Sequence, residues 1–367
     1  MAHRRLASTI AALAAVASTA GIAATVSTTA ASASTAPSGY DLRVGSFNVR
    51  SVQFDNSLAP GESLWKYRRP GVVHDILAEN LDVVGIQEAS QNPKYASHLV
   101  NGNGSVDGTT IPTQYFDIRN GLNEETAGSP WALTNPYLYN CVRLGTNSNC
   151  DPMYRGASRD TKILYRKDRL TLGRSGSVLF ERQSGGANDG RYFVWAKFTI
   201  NATGKQFFFA TTHLMNGAVA DRKAEWQEVI HQINYRKDGL PVVMTGDFQR
   251  SKFAPPLDTM LPAMKSNGYG DVVGQRYGTV QLPSPHRAQV MSNGWLNTEN
   301  GFHRDMRGWS YENETHWAGN NIDWIFASNQ LVVKRWRVAA DYDRTTLQLR
   351  GVIPSDHNLV ASTIVIP

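Results

Sequence analysis

Two cysteines in 367 residues, Cys141 and Cys150, are too few for a disulfide-knit scaffold. Neither has a His or Cys companion at zinc-binding spacing. The chain also lacks a Gly-x-Ser-x-Gly elbow, a Gly-x-x-x-x-Gly-Lys-Ser/Thr loop, a His-Glu-x-x-His helix and a Cys-x-x-Cys pair. These absences set aside acyl transfer from an elbow serine, nucleotide cradling by a glycine loop, zinc proteolysis and dithiol exchange. No short repeat recurs and no Pro/Ser linker follows residue 40, which argues for one domain rather than an array. No run is apolar enough for a membrane anchor, because the alanines from Leu6 to Val26 are interspersed with Ser and Thr.

That N-terminal stretch reads instead as an export signal. Arg4 and Arg5 precede it, and Ala31-Ser32-Ala33 offers a small-x-small cleavage site before Ser34. The expected organisation is a signal peptide over residues 1–33, a linker over 34–40 and one domain over 41–367. The protein is then secreted, with no stable membrane anchor; the paired arginines do not decide the export route. In an oxidising compartment Cys141 and Cys150 are expected to form one disulfide closing a short loop. Losing Arg4 and Arg5 takes the formal charge from +6 to +4, a modest excess that suits a polyanionic substrate. Lys334, Arg335 and Arg337 read as the solvated face of a late strand.

What the chain does have is short polar clusters at the ends of apolar runs. They are Phe47-Asn48-Val49-Arg50, Ile86-Gln87-Glu88, Thr212-His213-Leu214, Gly246-Asp247-Phe248-Gln249 and Ser355-Asp356-His357, with Asn321-Ile322-Asp323-Trp324 before a further run. Short apolar runs read as buried strands, and polar groups at strand ends are where sites are built. Strands are expected near 42–49, 82–87, 162–166, 192–200, 206–212, 240–245, 322–327, 331–338 and 359–366. A turn at Asn201 to Gly204 would pair the fourth with the fifth. Helices are expected over 65–80, entered through Pro70 with Val72, Val73, Ile76 and Leu77 inward, and over 218–235. The polar stretch from Gln91 to Arg159 reads as substrate-side loops with short elements of their own. A sheet core flanked by helices follows.

The clusters carry recognisable chemistry. Glu88 at a strand end could ligate a hard divalent cation, which takes oxygen ligands; alone it would read as a solvated acid. Asn48 could hydrogen-bond that ligand or a metal water. His357 can serve as a general base if a carboxylate fixes its tautomer. Asp323 is the candidate, leaving Asp356 to face the metal. His213 could be a core histidine, or at a strand mouth could donate to a phosphate oxygen or protonate a leaving group. Asp247 could orient the attacking water. Trp295, Trp309 and Trp317 either stack on a base or sugar or simply pin their loop.

In this order the clusters resemble the endonuclease/exonuclease/phosphatase superfamily, the fold of pancreatic-type deoxyribonuclease, from about Leu42 to Ile366. The resemblance implies an α/β (α+β) chain folded as a four-layer αββα sandwich, with two central mixed β-sheets flanked by helices. It also implies a divalent-metal site, for Mg²⁺ with Mn²⁺ or Ca²⁺ as alternatives, at one end of the sheets. Glu88 and Asn48 would then belong to the metal site, with Asp356 as a further metal-side carboxylate. Asp247 would position the nucleophilic water, His357 would be the base with Asp323 orienting it, and His213 would stabilise the phosphate or leaving group. Arg50 would face phosphate, and Asp160 or Asp151 could pair with His213. One departure stands out: the family's Gly-Asp-Phe-Asn reads Gly246-Asp247-Phe248-Gln249, and an added methylene displaces the amide by roughly one bond length. The expected function is a secreted, monomeric, metal-dependent phosphoesterase acting on nucleic acid. The alternatives are a phospholipid, sphingolipid or phosphomonoester substrate, or a binding module that has lost turnover.

Overall fold

The computed structural model describes residues 39–138, 140–141, 150–151, 157–181, 190–216, 219–251, 260–274, 276–277, 280–281, 284–306 and 319–367. The expected signal peptide, most of the linker, Trp309 and Trp317 lie outside these residues. Cys141 and Cys150 stand opposite each other in a short antiparallel ladder. Their side chains, the disulfide expected of them and the Asp151 side chain lie outside the described residues.

Six strands carry the expected clusters: β1 (Tyr40–Asn48), β2 (Val83–Gln87), β3 (Gln206–His213), β4 (Val242–Asp247), β5 (Asp323–Ser328) and β6 (Leu359–Ile366). Each is rich in Val, Ile or Phe, which suit a pleated surface, and most are buried on both faces, as near-continuous apolar runs require. One mixed sheet runs Val290–Ser292, Val332–Ala339, β6, β1, β2, Lys162–Arg166, Trp131–Leu133. The other runs Tyr269–Asp271, β5, β4, β3, Tyr192–Ile200, Leu170–Leu179. β1 and β2 are parallel, as are β3 and β4, so the C-terminal ends of all four strands lie at paired positions within their sheets.

Helices cover both outer faces. α1 (Trp65–Ala78) and α2 (Gln114–Glu124) bury Val72, Val73, Ile76, Tyr115, Phe116 and Ile118 against the first sheet. α3 (Val219–Arg236) buries Trp226, Val229, Ile230 and Ile233 on the second. The result is the four-layer αββα sandwich. Pro70 lies inside α1 rather than at its entrance. The helix starts earlier because both oxygens of Asp55 accept from the Trp65 amide, at 3.0 Å, where Leu64 has no capping side chain. α2 falls within the polar stretch that sequence left unassigned, capped by Thr113 Oγ1 accepting from the Phe116 amide. The strand Leu170–Leu179 was also missed: Gly173, Ser175, Gly176 and Ser177 give it little β character, and its pairing with Tyr192–Ile200 makes it a strand.

The two sheets come into close contact beneath the strand ends. A Cβ on Gly85 would lie 2.2 Å from Thr211 Oγ1 and 2.5 Å from Thr245 Oγ1. The missing side chain lets Gln87 Nε2 donate to Thr211 Oγ1 at 3.0 Å across the sandwich. Gly85→Ala should therefore destabilise by about 3 kcal/mol, the upper range for overpacking a tight core. Urea unfolding would read this, and a loss below about 1 kcal/mol would show that the sheets can part at no great cost.

Candidate active site

The strand ends are held by packing on their outer faces. Beyond Asp247, Phe248 turns outward against Trp226 of α3, with ring centroids 4.5 Å apart, and Trp324 packs on the same rings. Alternation along the strand then sends Asp247 and Asp323 inward. These two acids are a directly opposed antiparallel pair, and His213 is in register with Asp247 on the parallel side. Thr298 Oγ1 accepts from the Asp323 amide at 3.1 Å and fixes that strand's start. Three residues just past the strand ends, Arg50, Glu88 and Gln249, have φ of 56°, 60° and 52°. Left-handed backbone at non-glycine residues costs roughly 1–2 kcal/mol each and is tolerated where a site needs a sharp turn.

Asp247 is the hub. Its Oδ2 accepts from Asn48 Nδ2 at 3.1 Å and Gln249 Nε2 at 2.8 Å, and lies 3.5 Å from His213 Nε2 and 3.8 Å from His357 Nε2. The other hydrogen of the Asn48 amide reaches Glu88 Oε1 at 3.0 Å. His357 Nδ1 lies 2.8 Å from Asp323 Oδ2, the carboxylate–imidazole pair expected from the sequence. The structure thus gathers Asn48, Glu88, Asp247, Gln249, His213, Asp323 and His357 at one end of the two sheets.

Two expected roles look different in three dimensions. Arg50 does not stand free for phosphate. Its Nε pairs with Glu62 Oε1 and its Nη1 with Asp356 Oδ2, both at 3.3 Å, while the guanidinium lies 3.8 Å over the Phe54 ring. Asp356, expected on the metal side, pairs with Arg50 and its charge still bears on Glu88. Nor does Asp160 pair with His213: the Nε2 of that ring lies near Asp247, and its Nδ1 is buried with no hydrogen-bond partner among the described residues. Asp160 bears on Glu88 and Lys162 instead.

Electrostatics separate the two histidines. Burial, then the charges of Arg191 and His357, hold His213 well below the ordinary histidine value. Burial alone would lower His357 too, but Asp323, Asp247 and Asp356 outweigh it and hold that ring well above. Burial and the facing Asp323 push the Asp247 carboxyl up to about 7. Burial and Asp356 likewise raise Glu88. Sequence reasoning missed Glu299, which stands opposite His357 in an isolated antiparallel bridge. It lies in a Gly/Asn-rich stretch with no apolar run to mark it. Thr298 carried no signal either. Trp295 is buried edge-on against Tyr342 and pins its loop. Lys334 pairs with Asp41, and Arg335 and Arg337 with Glu79, as a solvated strand face would.

The donor set suits a hard cation. Glu88 and Asp247 offer only oxygen, with the Asn48 amide nitrogen between them; the Asn48 carbonyl accepts from the Arg50 amide at 3.1 Å and would join them on a flip of that side-chain amide. Asp247, Asp323 and His357 also bring ligand atoms within 4.8 Å of one another. A cation there would compete with the proton that His357 shares with Asp323, so the Glu88–Asn48–Asp247 corner fits better.

α3 carries a further perturbed acid. Glu225 is fully buried, and its Oε2 accepts from the Met215 amide at 2.7 Å. Burial pushes it from 4.5 to about 7, against that hydrogen bond and Arg191 and with help from Asp221 and Glu228. A raised folded-state value means the stability it contributes is complete below 4.5 and is lost as pH rises through about 7. Glu225→Gln should therefore melt above the unsubstituted protein at pH 8, by up to roughly 3 kcal/mol of stability, and level with it at pH 4. An advantage that persisted unchanged at pH 4 would contradict this.

A family model described as Endonuclease/Exonuclease/phosphatase family matches residues 45–357. No curated protein matches the chain. Among solved structures, an endonuclease/exonuclease/phosphatase family protein from Bacteroides thetaiotaomicron is similar at 19% identity, covering 90% of this chain and 99% of its own, with a TM-score of 0.57. A mannosyl-6-phosphatase from the same organism is similar at 19% identity, 89% and 100% coverage and a TM-score of 0.56. D. rerio TDP2, complexed with single strand DNA product, is similar at 15% identity, 88% and 98% coverage and a TM-score of 0.51. At such identities these likenesses speak to the fold.

Proposed function

We propose, from the premise that this chain belongs to the endonuclease/exonuclease/phosphatase family, that it is a secreted, divalent-metal-dependent phosphodiesterase acting on nucleic acid. The observation that carries the reading is the Asp323–His357 pair converging on Asp247 beside Asn48 and Glu88. Neighbours described as a phosphatase and as a protein bound to single strand DNA product leave both ester classes open to this fold. The basic net charge supports a polyanion. Secretion rests on the N-terminal sequence.

Glu88 and Asn48, with Asp247, would hold the cation; when bound it would neutralise charge on the carboxylates and on the phosphoryl oxygens. Asp323 accepts the Nδ1 proton of His357 and so leaves Nε2 directed at Asp247 Oδ2. With the charge of Asp247 taken up by that cation, Nε2 of His357 would be free of its proton; a water within reach of Nε2 and Asp247 Oδ2 could then pass a proton to Nε2 as its oxygen bonds to phosphorus and the opposite ester P–O bond breaks, the leaving oxygen taking a proton from solvent. The imidazolium that results is stabilised by Asp323 and Asp247, whose charges already favour it. Asn48, by bridging Glu88 and Asp247, holds the two carboxylates at a fixed separation.

The purified protein should cut plasmid DNA or RNA with Mg²⁺, and EDTA should reduce the rate at least about a hundredfold. Turnover of sphingomyelin vesicles or a phosphomonoester, with nucleic acid intact, would overturn the substrate. Absence of metal-dependent hydrolysis of bis-p-nitrophenyl phosphate would overturn the enzyme.

A further inference from the structure

Gln249 stands where an asparagine was expected, and its surroundings show what the added methylene reaches. Nε2 lies 2.8 Å from Asp247 Oδ2 and 3.1 Å from His213 Nε2, while the Gln249 backbone amide donates to Asp247 Oδ1 at 3.0 Å. A side-chain amide nitrogen brings two hydrogens and no acceptor. Asp247 Oδ2 already accepts from Asn48 Nδ2 at 3.1 Å, so it calls for the nitrogen of Gln249 and not its oxygen. The second amide hydrogen is then left for His213 Nε2, which must offer a lone pair.

It follows that the ring proton of His213 sits on Nδ1, the atom that is buried without a partner among the described residues. The arrangement therefore leaves a donor unsatisfied, and it places glutamine at a φ of 52°, where asparagine is more at home. The contact with His213 is what the longer side chain gains.

We propose that Gln249 is a positioning residue that holds His213 in its Nδ1–H tautomer with Nε2 as an acceptor. His213 then cannot donate to a phosphate or leaving-group oxygen until the Gln249 amide moves off it. The effect on turnover rests on the hydrolytic reading above; the tautomer does not. Asparagine at 249 would keep the backbone contact with Asp247 Oδ1, but its side-chain nitrogen would fall short of His213 by roughly one bond length.

Ring-nitrogen NMR of the full-length protein, with and without Mg²⁺, tests the tautomer directly. The expected result is a protonated, pyrrole-like Nδ1 and a bare, pyridine-like Nε2 on His213. In Gln249→Asn the proton should shift toward Nε2. In the same variant kcat on bis-p-nitrophenyl phosphate should rise about tenfold or more, with KM within about twofold. A proton on Nε2 in the unsubstituted protein, an unchanged tautomer in Gln249→Asn, or a fall in its kcat would each overturn the proposal. If neither protein turns over any phosphoester, the hydrolytic reading fails, and the nitrogen spectra still decide the tautomer.

Discussion

Replacing His357 by alanine is expected to lower kcat on bis-p-nitrophenyl phosphate by about a hundredfold to ten-thousandfold, the range for a positioned general base. The side chain is almost fully buried, its Nδ1 is 2.8 Å from Asp323 Oδ2, and its Nε2 faces Asp247. Among the described residues the other histidine of the site cannot take over, because the Nε2 of His213 is occupied by Gln249. Asp323→Asn should lose a comparable amount while keeping the shape of the site, because an amide can donate to Nδ1 and so favour the wrong tautomer. Steady-state kinetics with Mg²⁺, alongside circular dichroism to confirm the fold, would measure both. Turnover within about threefold of the unsubstituted protein in His357→Ala would remove that residue from the chemistry.

The largest effect on stability is expected at Arg68. Its side chain is fully buried, and its guanidinium donates to the carbonyls of Ser63 at 2.9 Å, Val49 at 3.1 Å, Pro354 at 3.0 Å and Arg50 at 3.4 Å. It also faces Glu62 at 3.8 Å and Asp55 at 4.0 Å. One cation therefore draws together the end of β1, the start of α1 and the loop that delivers Asp356 and His357. Arg68→Met preserves much of the volume but takes the shared cation from two buried carboxylates, leaving Glu62 to Arg50 and Asp55 to the Trp65 amide, and strips several carbonyls of their donor. Breaking such a cluster costs about 3–5 kcal/mol. Thermal unfolding should show a drop in Tm of roughly 10 °C, and kcat should fall as the His357 loop loosens. A variant that melts within about 2 °C of the unsubstituted protein would mean that the carboxylates find other partners or take up protons cheaply.

Both predictions turn on residues whose importance was unequally visible. His357 was legible because it immediately precedes the last apolar strand and follows an acid. Arg68 was not: it lies in a helical stretch of mixed charge, and only the folded chain shows that its face is sealed. Asp55 and Glu62 carried no signal for the same reason. Glu299 and Thr298 lie in a segment without periodicity, so nothing local marked them. The helix α2 was hidden because its four apolar residues are diluted by polar neighbours, and packing on α1 and the first sheet completes what propensity left undecided.

The six clusters and the family resemblance pointed to the correct sandwich, because strand ends follow from where an apolar run stops. That information is local. The pairing of charges is not. Arg50 reads as a free cation beside Asn48 until Glu62 and Asp356, one close by and one near the far end of the chain, are brought to it. His213 and His357 were given different roles from sequence, but nothing local showed that burial and Arg191 lower the one while three carboxylates raise the other.

By itself, then, the amino-acid order determined which side chains would stand at the rim, since hydrophobic period and its interruptions are properties of neighbouring residues. Tertiary structure alone decided which of them meet. Register set Asp247 opposite Asp323 and beside His213, and the absent side chain of Gly85 let the sheets close. Register and closure depend on contacts between segments far apart in sequence, and their energies have no signature in any one segment.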